Sequence, residues 1–260
     1  MTQRSLFDDE LPPRPAPEAP AVPELPAPTD PPLLPEQKAE VLERLREPAL
    51  SCTRCELSRT RQHVVFGEGN PAAPLVFVGE GPGENEDATG RPFVGRAGKL
   101  LDDVLRENGM TREHVYICNI LKCRAAFFEE GRARNRPPRP EEVDACRSWL
   151  DQQLAIIRPI VIVCLGAPAA NVIIHRNFRM TPERGRWFTH SPYAPWVMAA
   201  FHPAYILRLH GPGFDEARAS LVRDIAAARE KVIEVRRQLR EQGPEAGLAG
   251  QPGARRSLFD

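Results

Sequence analysis

Residues 79–95 read GEGPGENEDATGRPFVG and follow the apolar run Leu75-Val76-Phe77-Val78. A glycine-rich turn leaving a buried strand ordinarily cradles phosphate through its backbone N–H groups. This turn instead carries Glu80, Glu84, Glu86 and Asp87, which would repel a pyrophosphate. It lacks the Gly-Lys-Ser/Thr ending of a P-loop, and Gly79 and Gly81 are followed by Glu84 where a dinucleotide fingerprint needs glycine. A neutral, planar, hydrogen-bonding ligand suits the stretch better: backbone groups and an acid read its edge, and Phe93 covers its face. The competing reading is a turn that only joins strand to helix.

A second constellation is built from thiols. Cys52-Thr53-Arg54-Cys55 has the CxxC spacing of a metal site. Two more ligands must come from Cys118, Cys123, Cys146 and Cys164. Cys118 and Cys164 lie inside apolar runs, where a buried free thiol is the default. Cys123 follows a strand end and Cys146 lies near the start of a helix. Spacing alone leaves zinc and iron–sulfur open, since both accept four thiolates.

The elements that must position these groups alternate along the chain. Short continuous apolar runs at Leu75–Gly79, Val115–Leu121, Ile160–Gly166 and Trp196–His202 predict strands covered on both faces. Helical patterns fill Glu36–Glu47, Gly95–Asn108, Pro140–Ile157, Ala167–His175 and Asp215–Leu239. The alternation predicts an α/β fold: a three-layer α/β/α domain around a central four-stranded parallel sheet, spanning about residues 36–240. Ligands of such sheets bind at the carboxyl ends of the strands. The loops beginning at Gly79, Lys122, Gly166 and His202 therefore share one rim.

Composition limits the alternatives. Residues 1–35 form a Pro-rich arm with eleven of the 28 prolines, and residues 241–260 are rich in Gly, Pro, Ala and Gln. Both are expected to be disordered tails. Thirty-five basic residues balance 35 acidic ones, so any polyanion contact must come from a local patch. No long apolar segment or secretory pattern stands out. Six cysteines in a chain of this length fit reduced thiols or metal ligands, and the expected location is the cytoplasm of a bacterium, near the nucleoid.

The glycine-rich stretch resembles the first motif of the family 4 uracil-DNA glycosylases, the iron–sulfur branch of their superfamily. The likeness continues in Asn119-Ile120-Leu121-Lys122-Cys123-Arg124, in Asn135-Arg136-Pro137-Pro138-Arg139-Pro140-Glu141-Glu142, in Leu165-Gly166-Ala167 and in His202-Pro203-Ala204-Tyr205, in order over roughly residues 40–230. The resemblance implies a repair enzyme that flips uracil from single- or double-stranded DNA and hydrolyses its N-glycosidic bond. It places Glu80, Gly81 and Glu86 in the base pocket, Phe93 stacked on the base, Asn119 on its Watson–Crick edge and His202 at its O2. Glu86 and His202 are the expected catalytic groups. Where other branches carry a water-positioning Asp, this chain has Gly81. The resemblance also implies one 4Fe-4S cluster on Cys52, Cys55, Cys123 and Cys146, which pins segments together, and a monomeric enzyme.

Between Cys123 and Cys146 runs a long loop. A cross-linking branch of the superfamily has a nucleophilic His in such a loop; counting back from Cys146, its place falls at Asn135, a poor nucleophile, so turnover is expected. Arg136, with Arg132, Arg134 and Arg139, is expected to meet phosphates flanking the flipped nucleotide, and Phe127 and Phe128 to pack onto the cluster. Ile206, Leu207 or Arg208 is expected to fill the gap left by the base. Gln3-Arg4-Ser5-Leu6-Phe7 is similar to the motif by which bacterial proteins dock on the replicative sliding clamp. Gln3, Leu6 and Phe7 would be its anchors, and RSLFD recurs at 256–260 without the Gln. Two competing functions stay open: a non-catalytic iron–sulfur nucleic-acid-binding module, and a Mg²⁺-dependent nucleotide hydrolase.

Overall fold

The structure, a computed structural model, describes residues 33–129 and 132–241. The N-terminal arm with Gln3, Leu6 and Phe7, and the C-terminal repeat of RSLFD, lie outside the described residues.

The sheet has the order β1-β3-β2-β6-β7. Its four long members are β2 (Leu75–Gly79), β3 (Tyr116–Asn119), β6 (Val161–Leu165) and β7 (Trp196–Ala200), all parallel. The expected four parallel strands are thus present. A two-residue antiparallel edge, β1 (Glu68–Gly69), is added against β3; two residues hold too little pattern to be seen in sequence. The helices are α1 (Pro35–Leu50), α2 (Glu84–Thr89), α3 (Arg96–Glu107), α4 (Pro140–Ile157), α5 (Ala167–Ile173), α6 (Met180–Glu183), α7 (Pro203–Ile206) and α8 (Pro212–Glu241).

Strand residues alternate between two cores. Val76, Val78, Cys118, Ile162, Cys164 and Val197 pack against α1, α4 and α5. Phe77, Ile117, Val163, Leu165 and Met198 pack against α3 and α8. Because both faces are covered, the strands read as unbroken apolar runs. Each fully buried Val, Ile or Phe contributes about 1.5–3 kcal/mol of burial, so the four strand ends are held on a stiff platform.

The long loop after Cys123 differs from its expected form. It contains an antiparallel hairpin of β4 (Ala126–Glu129) and β5 (Arg132–Asn135). Phe127 is 44% exposed and Phe128 61% exposed. Their packing onto the cysteine site is thus overturned: the hairpin carries them away from the body of the protein.

Candidate functional site

The turn after β2 is stitched to the turn after β3. Ile120 N donates to Gly79 O (3.0 Å) and Leu121 N to Glu80 O (3.1 Å). Gly79 has to be glycine, because a Cβ there would collide with Asn119 Oδ1 and lie 2.6 Å from Cζ of Phe93. The first motif, the end of β3 and Phe93 therefore meet at one point. Gly81 packs its Cα side against Leu121.

Glu86 occupies the third position of α2, where a carboxylate reaches back to the helix-capping N–H. Its Oε2 accepts from Gly83 N (3.0 Å), and Oε1 accepts from Val94 N and Gly95 N (2.8 Å each). Three peptide N–H groups on one carboxylate fold the acidic loop back on the start of α3. This departs from the expectation that Glu86 is a catalytic polar group serving the attacking water, since its lone pairs are largely occupied by the backbone. Glu80, half-buried, remains available; burial raises its pKa, and the charge of Arg208 partly offsets that.

Phe93 is buried at φ +53°, a left-handed conformation that costs a bulky residue about 1–3 kcal/mol and persists only when its surroundings enforce it. Arg112 does so, donating to Pro92 O (2.8 Å) and to Phe93 O while Asp102 holds its Nε (2.8 Å). Gly98 completes the clamp, because a Cβ there would strike the Phe93 carbonyl. The ring lies stacked against His202, centroids 5.6 Å apart and planes inclined by 28°.

Asn119 ends β3 and is 1% exposed, yet its Oδ1 has no hydrogen-bond partner. An orphaned buried acceptor costs about 1–3 kcal/mol.

His202 caps α7. Its Nδ1 accepts from Ala204 N (3.0 Å), so in the neutral ring the proton sits on Nε2. Burial lowers its pKa to about 4; Arg208 pushes the same way, and Glu86 pulls weakly against it. The imidazole is therefore a neutral N–H donor at ordinary pH. Gly166, at φ +93°, lets β6 turn away with its Cα side against His202 Cβ.

Other expected contacts divide. Ile206 is 0% exposed and belongs to the core under α8, so it cannot fill a gap in DNA. Leu207 is half-buried against the same core. Arg208 is exposed, and its charge reaches both Glu80 and His202. Arg136 differs from its expected role: its half-buried guanidinium grips the Glu142 carboxylate (2.8 Å for Nη1–Oε2), lowering that acid's pKa, so its charge is already engaged by an acid of its own chain. Arg132, Arg134 and Arg139 are exposed.

The four chosen cysteines wall one cavity. Cys52, Cys55, Cys123 and Cys146 line it with Trp149 and Lys122. Three sulfurs already receive N–H donors: Cys52 from Trp149 Nε1 (3.4 Å), Cys123 from Arg61 Nη1 (3.5 Å) and Cys146 from Lys122 N (3.2 Å). Burial raises the Cys55 thiol and pushes Cys123 to about 12 and Cys146 to about 11. Such thiols ionise only when a bound cation compensates their charge. Cys118 and Cys164 are the buried strand thiols expected.

A model of the uracil DNA glycosylase superfamily matches residues 66–226. A type-4 uracil-DNA glycosylase of Thermotoga maritima is 44% identical over 196 residues, covering 74% of this chain and 95% of the relative. The chain belongs to the type-4 uracil-DNA glycosylases. A type-4 uracil-DNA glycosylase of Archaeoglobus fulgidus is 43% identical over 178 residues, 65% of this chain and 84% of that one. A type-5 uracil-DNA glycosylase of Thermus thermophilus is more distant, 28% identical over 156 residues, 53% of this chain and 68% of its own.

Within this type-4 glycosylase fold, sequence reasoning missed two buried polar residues, Lys122 and Gln153, and the half-buried Arg112. Lys122 stood inside a quoted motif, and a lysine flanked by apolar residues and cysteine was its one signal. Arg112 and Gln153 carry none, because what they hold is distant in sequence.

Proposed function

We propose that this protein hydrolyses the N-glycosidic bond of uracil in DNA, leaving an abasic site. The observation that carries the reading is the unpartnered Oδ1 of buried Asn119, placed beside Phe93 and His202. With the base flipped out, at a cost of a few kcal/mol, Asn119 Oδ1 accepts from uracil N3–H and its amide N–H donates to O4. Cytosine presents the reversed pattern and is disfavoured. Phe93 covers the ring. His202 Nε2–H donates to O2, where negative charge collects as the bond to the sugar lengthens. A neutral donor suits this step, since Nε2–H stabilises the leaving anion by hydrogen bonding while the ring carries no charge of its own. One such donor is worth about 2.7–4 kcal/mol. Water then captures the cationic sugar, and Glu80, half-buried at the same turn, is the carboxylate available to orient it.

The four cysteines fit one 4Fe-4S cluster. These four thiols surround a common cavity and supply the four thiolates that such a cluster takes. The cluster would supply a covalent cross-link between the segment after α1, the turn after β3 and α4, with no electron transfer in a redox-neutral hydrolysis.

Asn135, bound by Arg124 Nε through its Oδ1 (2.7 Å), lacks the nucleophilicity to trap the sugar, so the enzyme turns over without a covalent adduct. Arg208, exposed beside the pocket, is the residue to enter the DNA. The arm carrying Gln3, Leu6 and Phe7 would tether repair to the sliding clamp; a peptide of residues 1–10 that fails to saturate the clamp ends that part.

The main test incubates the protein with a uracil-containing oligonucleotide and then alkali. Strand scission at uracil, lost in Asn119→Ala and His202→Ala, supports the reading. An intact oligonucleotide with the unaltered protein sinks it.

A further inference from the structure

Lys122 is 2% exposed, and its ammonium has two acceptors. Nζ donates to Asn119 O (2.9 Å) and to Gln153 Oε1. Gln153 is itself fixed: its Nε2 donates to Phe66 O (2.9 Å) and Tyr116 Oη (3.2 Å), which turns Oε1 toward the lysine. At the other end of the same residue, Lys122 N donates to Cys146 Sγ (3.2 Å). Cys146 and Gln153 are seven residues apart on α4, two turns along one helix face. Lys122 is thus bonded twice to one side of that helix and once to the peptide that carries Asn119.

The same turn has few other restraints. Asn119 lies at the last register position of β3, opposite Gly79, and its side-chain oxygen has no partner. An orphaned acceptor has no local reason to stay aimed at a ligand, so its direction has to be set by its backbone. The backbone restraints on the turn are Ile120 N to Gly79 O, Leu121 N to Glu80 O, Val65 N to Lys122 O (2.7 Å), and the lysine side chain. Among the described residues, the lysine ties the turn to the helix holding a cysteine of the cavity.

We infer that Lys122 is a positioning residue for uracil recognition, joining Asn119 to the cysteine site through its ammonium and its own peptide N–H. The cysteine site then acts on base selection mechanically, by holding the end of β3, without touching the substrate. This rests on the glycosylase reading above and names the residue through which recognition is held.

The test uses full-length, iron-loaded protein and two oligonucleotides identical except at one position. One bears a non-hydrolysable 2′-fluoro-arabino-uridine and the other the corresponding 2′-fluoro-arabino-cytidine, whose Watson–Crick edge is reversed; fluorescence anisotropy reads affinity for each. In Lys122→Met the uracil-over-cytosine preference falls about tenfold, as for loss of a hydrogen bond to a charged group. Affinity for the cytidine oligonucleotide, iron content and absorbance near ~400 nm stay at the unaltered level, while kcat on uracil falls. Gln153→Met, which leaves every cysteine contact in place, lowers the preference about threefold. Full preference in an iron-loaded Lys122→Met overturns the inference. If that variant does not hold iron, Gln153→Met decides, and an unchanged preference there overturns it equally. Should the unaltered protein bind both oligonucleotides alike, the glycosylase reading fails, and with it the premise of this one.

Discussion

The pocket rim and the cysteine cavity share the turn after β3 and are built on opposite plans. In the cavity, buried groups are supplied with partners: Trp149, Arg61 and the Lys122 peptide each donate to a sulfur. At the rim, groups are kept wanting. Asn119 Oδ1 is unpartnered, Phe93 is held in a strained conformation, and His202 is kept neutral by burial. A site that must bind and release a ligand keeps its donors and acceptors unmatched, while surrounding structure sustains the cost. A site that fastens segments together supplies donors to the groups that do the fastening, here three of the four sulfurs. Arg112, Gly98 and Lys122 belong to the second plan and serve the first.

The contrast is broken most directly at the rim. His202→Ala and Asn119→Ala should each lower single-turnover uracil release by about 10²–10³-fold, with melting temperature nearly unchanged. A large loss of stability instead would move these residues into the scaffold class. In the cavity the signs reverse: Cys123→Ser should abolish absorbance near ~400 nm and lower the melting temperature by about 5–10 °C, as judged by spectroscopy and calorimetry.

Glu86 sharpens the boundary, since it lies at the rim but is saturated like a cavity group. Glu86→Gln replaces one acceptor oxygen by a donor and should cost about 1–3 kcal/mol of stability, with kcat reduced less than in His202→Ala. A loss of kcat equal to that of His202→Ala, in a protein as stable as the original, would return it to the chemistry. The two arginines make a parallel pair. Arg208→Ala should weaken DNA binding across sequences and lower the salt slope by about one, whereas Arg136→Ala should leave DNA affinity alone and lower the melting temperature.

The smallest effect is in pH. Burial lowers His202 from 6.5 to about 4. As pH falls from 6.5 toward 4 the unfolded chain takes up a proton at this position that the folded protein does not, so His202 withdraws stability over that window. Its neutral donor persists throughout, and kcat/KM should show no step at 6.5 due to this ring. A step there that vanishes in His202→Gln would show the imidazole to be less buried in solution.

Much of this was legible in the chain. Unbroken apolar runs identified β2, β3, β6 and β7, because strands covered on both faces have no polar alternation to confuse them. The CxxC pair, and the position of Cys123 and Cys146 outside the strand runs, picked the four thiols that share a cavity. Asn119 and His202 were marked by falling where strands end. The hairpin at 126–135 was not legible: Phe127 and Phe128 lie beside charged residues, in a stretch whose pairing depends on register and not on burial.

Residue types and their order were enough for the sheet, the rim and the four thiols that line one cavity, since strand burial and thiol chemistry are local properties of sequence. Which carboxylate is free and which is clamped, which arginine faces solvent, and what holds the end of β3 were decided only by folding. Glu86 and Glu80, or Arg136 and Arg208, are alike as letters. Their difference is made by partners that approach from elsewhere in the chain: the peptides at Val94 and Gly95 for one acid, Glu142 for one arginine, and for Lys122 the face of α4.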